Sequence, residues 1–143
     1  LLLQGLREAR LAGIRPQAIA AAGPLAGYVA LDSEGHALCP AVMYTDRRSA
    51  PEAKFVEAIA LVQPDDSGLR VHIADPIPQW LRLCREFPEV AEKTTYFLDA
   101  TGWINFFLTG QATVNAFTGL RLYTPETQNK LGLKNHRLEK LRH

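Results

Sequence analysis

Between Ile19 and Ser49 the chain alternates apolar runs with turn residues, and this stretch constrains the fold more than any other. An apolar run, Ala18 to Ala22, enters the loop Gly23-Pro24-Leu25-Ala26-Gly27. A second run, Tyr28 to Leu31, enters the turn Asp32-Ser33-Glu34-Gly35, and a third, Ala37 to Tyr44, ends in the polar knot Thr45-Asp46-Arg47-Arg48. Each run has strand length and is bounded by turn residues, so three strands are expected. Asp32 is placed to hydrogen-bond back to the backbone, and Gly35 is free to take a positive φ. The short turn makes the second and third strands an antiparallel hairpin. Pro40 carries no N–H, which predicts an edge or a bulge there.

The rest of the chain reads as helices. Leu2, Leu3, Leu6, Ala9 and Leu11 have helical spacing, and Gly13 closes that helix. After Asp46 the pattern turns helical again, with Pro51 in the first turn and Phe55, Ile59 and Val62 on one face. Residues Gln63 to Ile73 are irregular. Asp75-Pro76 starts another helix, Asp as cap and Pro in the first turn, with Ile77, Trp80, Leu81, Cys84 and Phe87 in one stripe; Phe87-Pro88-Glu89 ends it. Thr95 to Leu98 suits a short strand, and Ala100 to Leu108 a helix with Trp103, Ile104 and Phe107 inward, stopped by Gly110. Thr113 to Tyr123 is mixed, and short helices are expected over Pro125 to Leu131 and Arg137 to Leu141. The class is α/β, with a small mixed sheet and packed helices.

Composition excludes several functions. With 47% hydrophobic and 22% charged residues, the 143-residue chain reads as one ordinary globular unit. A net charge of +1 supplies no field for nucleic acid or an anionic membrane, so neither is expected as a partner. No apolar run reaches the roughly 20 residues of a membrane span and no signal peptide is visible, so a cytoplasmic address is expected. Cys39 and Cys84 fit no metal or redox spacing and read as reduced, buried small hydrophobes. None of His36, His72, His136 and His143 pairs at metal-ligand spacing, so no metal site is expected. The chain opens inside a helix without an initiator Met and stops without a terminating signal, which reads as a piece of a larger protein. Exposed apolar residues at both ends would favour association, including a homodimer.

Two features bear on chemistry. The glycine loop lets the backbone approach another group closely, or simply connects two strands. The knot is either a solvated charge pair or part of a site in which the Tyr44 ring covers C–H groups while Asp46 and an arginine take hydroxyls.

The same stretch resembles the amino-terminal domain of FGGY-family carbohydrate kinases, xylulokinases in particular. The family pattern Ser-Gly-Gln-x-His-Gly, Leu-Asp, Gly, Pro-Ala-Ile, Trp-x-Asp-x-Arg is met by Ala22 to Gly27, Leu31-Asp32, Gly35, Pro40-Ala41-Val42 and Tyr44-Thr45-Asp46-Arg47-Arg48. Pro76, Trp80, Leu81, Pro88 and Glu89 follow a second family segment, and Trp103, Ile104, Leu108, Thr109 and Gly110 a third. The resemblance implies a partial actin-like, ribonuclease-H-like domain and phosphorylation of a sugar or polyol hydroxyl by ATP with Mg²⁺. Residues 1–143 would be the sugar-side fragment, inactive alone and binding no cofactor by itself. The phosphate-loop start, the catalytic Asp and the nucleotide domain would lie outside it. The sugar-contact positions it implies are Leu25, Ala26, Tyr44, Asp46, Arg48 and His72, with no catalytic residue in the fragment. Pro24 and Ala26 replace the family's Gln and His, and Asn115 stands where an Asp is usual. Those replacements motivate an alternative: a sugar-binding or regulatory relative without catalysis.

Overall fold

The computed structural model describes residues 2–60 and 71–114, except for the side chains of Leu2, Ile59 and Ala60. The expectations for Val62, Gln63 to Arg70, Asn115, His136, His143 and the helices after Pro125 lie outside the described residues. The elements in order are α1 (Leu2–Leu11), β1 (Tyr28–Leu31), α2 (Ala50–Ala60), α3 (Pro76–Glu86), α4 (Pro88–Lys93), β2 (Tyr96–Asp99) and α5 (Ala100–Thr109).

β1 and β2 pair antiparallel, Tyr28 opposite Asp99 and Leu31 opposite Tyr96. All four β1 residues are buried, as a strand covered on both faces requires. The aromatic side chains of β2 alternate between the two layers. Phe97 stacks on Tyr28 and meets Trp80 of α3, both at 5.3 Å between ring centres, whereas Tyr96 meets Phe106 of α5 at 4.8 Å. The sheet therefore lies between α3 and α5, with Ile77, Trp80, Leu83, Val29, Leu31 and Leu98 in the core.

The third predicted strand is reduced to two isolated antiparallel bridges on the other edge of β1, Leu31 with Ala37 and Tyr28 with Val42. Between those bridges β1 advances three residues and the partner segment five, so two extra residues bulge out around Cys39-Pro40. Proline at that point has no N–H for a ladder, which is the expected cause. Every pairing among the described residues is antiparallel, so the sheet is antiparallel rather than mixed. Ala18 to Ala22 forms no strand: it runs irregular and mostly exposed. Its alanines bring little side chain to a sheet.

Turn chemistry follows the sequence. Asp32 Oδ1 accepts from the backbone N–H of Glu34 (2.8 Å) and of His36 (2.9 Å), and Gly35 has φ +87° with Phe106 packed against it. Gly13 and Gly110 end α1 and α5 with φ +74° and +72°. Asp75 stands at the amino end of α3 in extended conformation, but its carboxylate makes no cap bond. Its Oδ2 accepts from the His72 N–H at 2.8 Å and closes the turn before the helix. After Phe87 a further short helix, α4, begins at Pro88, where the sequence predicts only a stop.

Two helix faces differ from expectation. In α2 the buried residues are Glu52, Ala53 and Val56, while Phe55 is half exposed. In α5 Trp103 is 38% and Phe107 66% exposed. The phase of α5 is set at its start: Asp99 caps Gly102 N–H at 2.7 Å, and Gly102 lies buried against the Thr113 backbone. Phe106, four residues on, shares that face, so Trp103 and Phe107 fall on the next stripe. Cys39 and Cys84 are only partly buried. Burial pushes the Cys84 thiol up to about 11, so it is not a poised nucleophile.

Candidate functional site

The polar knot is held by a bulged edge on one side and α3 on the other. Asp46 accepts from the Arg48 backbone N–H at 2.9 Å, from Arg48 Nε at 3.0 Å to each oxygen, and from Arg48 Nη2 at 2.5 Å. From α3, thirty-six residues along the chain, Arg82 Nη1 reaches Asp46 Oδ2 at 3.3 Å. Arg82 is 5% exposed at its side chain and also donates to Glu86 Oε2 at 2.8 Å. Arg85 then bridges Glu86 (3.1 Å) and Glu52 of α2 (2.9 Å). The result is an alternating chain of three cations and three anions from the knot to α2. Hydrogen bonding from Arg48, with the charges of Arg82 and Arg48, lowers Asp46 to about 2 against the cost of burial. Arg82 likewise holds Glu86 below the usual carboxylate range.

This geometry settles what Asp46 has left to offer. Its two oxygens already receive five contacts, and a carboxylate has about four lone-pair sites. Arg48 has spare capacity: its side chain is 67% exposed, and among the described residues only Nε and Nη2 are engaged. Asp46 is thus saturated by its own partners, while the Arg48 guanidinium is exposed.

Two contacts tie the segments of other sequence-indicated positions to this one. The Tyr28–Val42 bridge sets the end of the glycine loop beside Val42, two residues before Tyr44. Tyr44 is 53% and Leu25 53% exposed. Ala26 is half-buried at φ +58°, a left-handed conformation unusual for a residue with a Cβ. Gly23 packs on the start of α5, where a Cβ would come within 3.1 Å of Ala100 Cβ, so the close approach allowed by this glycine is made to a helix. His72 is reached through Ser49, whose hydroxyl donates to the Ile73 carbonyl at 2.6 Å. Its ring Nδ1 accepts from Ala74 N–H at 3.1 Å, so in the neutral ring the proton sits on Nε2, and the residue is exposed.

Sequence reading missed Ser49, Gln79, Arg82 and Glu86. The last three fall at helical spacing in α3, and Arg82 to Glu86 is an i,i+4 charge pair, a visible signal for a polar stripe. The burial of Gln79 and Arg82 and the link to Asp46 had no local signal. Among the described residues no three His, Cys, Asp or Glu side chains gather to hold a metal, and no helix is long and apolar enough to cross a membrane.

The architecture is a small antiparallel sheet between helices, of α/β class, and it is shared with a solved kinase. The crystal structure of a xyloylose kinase from Brucella ovis superposes with a TM-score of 0.66 and 22% identity, over 91% of this chain and 29% of that one. This chain therefore spans less than a third of that protein. No family model matches the sequence, and no curated protein matches it.

Proposed function

We propose that this chain is the sugar-side part of an FGGY-type, xylulokinase-like carbohydrate kinase that transfers the γ-phosphoryl group of ATP to a sugar or polyol hydroxyl. The observation that carries this reading is the fold likeness to a sugar kinase over nearly the whole chain. The Tyr44 ring, exposed at the edge of the bulge, covers the C–H face of the sugar. Arg48, aimed by Asp46, donates to hydroxyl oxygens, and His72 Nε2–H is a second donor. Leu25 and Ala26 form the opposite lip, and the left-handed Ala26 fits a loop whose backbone is shaped for a ligand. In this reading ATP, Mg²⁺ and the carboxylate that takes the hydroxyl proton belong to the remainder of the full-length protein.

The test is ADP release by the full-length protein, followed by a coupled assay across ketopentoses, polyols and glycerol. One or more of these should give sugar-dependent turnover; background rates with all of them would overturn the proposal. Pro24 and Ala26, in place of the family's Gln and His, favour a second reading, a sugar-binding relative without catalysis. Under it a sugar raises the melting temperature while ADP release stays at background.

A further inference from the structure

Segment 43–48 carries Tyr44 and Arg48, yet it belongs to no helix or strand. The Asp46–Arg48 pairing is local. It spans two residues, so it fixes the guanidinium relative to its own loop and not relative to the core. Among the described residues, one hydrogen bond reaches this segment from a distant element, from Arg82 Nη1 of α3 to Asp46 Oδ2 at 3.3 Å. Arg82 is itself a fixed post. Its side chain is 5% exposed, and its Nε donates to Glu86 Oε2 at 2.8 Å, one turn further along α3. Leu83, beside it in sequence, belongs to the core. Burying a guanidinium costs solvation that an ion pair only partly repays, so Arg82 is a poor device for stability alone. What its planar fork supplies is geometry, separate donors aimed at two carboxylates at once.

We propose that Arg82 is a positioning residue for sugar binding: through Asp46 it anchors the loop that carries Arg48 to α3, and so sets where the Arg48 guanidinium stands. This role rests on the reading of Arg48 as a sugar donor. Arg82 makes no contact with the sugar in this scheme. Without it the Asp46–Arg48 pair survives as a unit but moves with its loop. Arg48 then meets a sugar hydroxyl in only a fraction of the population, and the apparent affinity falls by that fraction.

The experiment is a double-mutant cycle on the sugar KM of the full-length protein, with the sugar or polyol that the wild type turns over best. Arg82→Met and Arg48→Met should each raise the sugar KM by about tenfold and leave the ATP KM within about twofold. On the Arg48→Met background, Arg82→Met should add less than about twofold, because nothing is left to position. A general loosening of the fold would instead multiply the two effects. Arg82→Lys keeps a cation beside both carboxylates, but its single nitrogen cannot span them as the fork does. It should raise the sugar KM by about threefold, and not at all once Arg48 is gone. If Arg82→Met does not fold, the cycle with Arg82→Lys decides. An increase that persists in full on the Arg48→Met background would overturn the role of Arg82 and leave the kinase reading standing. So would a sugar KM that Arg48→Met raises and the Arg82 variants leave unchanged. A wild type without turnover, or an unchanged sugar KM in Arg48→Met, would instead overturn the reading of the sugar wall, and the role of Arg82 with it.

Discussion

Asp46 shows how a residue acquires a role that its neighbours in sequence only half announce. Asp46 and Arg48 form a near-chelate two residues apart, and Arg82 adds a buried cation from α3. Because its folded pKa is depressed from 3.8 to about 2, Asp46 stabilises the fold fully above the unfolded value. That contribution is lost as pH falls from about 4 through about 2. The difference corresponds to at most roughly 2 kcal/mol, and solvent around exposed Arg48 reduces it to about 1 kcal/mol. Asp46→Asn should therefore lower the urea midpoint at pH 7, with the gap to wild type closing between pH 4 and pH 2. Asp32 and Glu86 are depressed as well, so the difference between the two proteins, rather than the wild-type slope, isolates Asp46. A gap that stays constant down to pH 2 would show that the carboxylate charge does not stabilise the knot.

At the scale of elements, the sharpest test is Gly102. A glycine inside a helix is ordinarily improved by alanine, by about 1 kcal/mol. Here the sign reverses, because an added Cβ would collide with the Thr113 carbonyl and press on Asp99 Oδ1 at 3.3 Å. Thr113 is also tied to α5 by Asn105 Nδ2 at 3.1 Å, so the obstruction does not move aside freely. Gly102→Ala should cost about 2 kcal/mol in denaturant unfolding; a raised midpoint would refute the close packing. The same helix shows where local signals stop. Gly35, Gly110 and the Asp32 turn could be read in the sequence because their chemistry is contained within four or five residues. Pro40 marked its bulge for the same reason. The exposed stripe of Trp103 and Phe107 could not be read, since hydrophobicity does not say which stripe meets the sheet. That phase came from Gly102 and the Thr113 backbone. Likewise the knot at 45–48 was visible, but its partner Arg82 was not, since a contact spanning thirty-six residues leaves no periodicity to detect.

For the whole molecule, the proposed division of labour places sugar contacts in this chain and the nucleotide elsewhere. This predicts that substitutions here act on one substrate and not the other. Tyr44 is the appropriate probe, because at 53% exposure it can be truncated with little loss of core packing. In the full-length protein Tyr44→Ala should raise the sugar KM at least tenfold, leave the ATP KM within twofold, and shift the melting temperature by no more than about 1 °C. Tyr44→Trp preserves a flat ring over the sugar C–H face and should keep the sugar KM within about threefold of wild type. The paired variants separate a ring contact from a general disturbance of the edge, which would move both KM values together. If Tyr44→Ala leaves the sugar KM unchanged in a protein that does turn over, the wall at the end of the bulged segment is not where the sugar lies. The binding surface would then have to be sought on another face of the same fold.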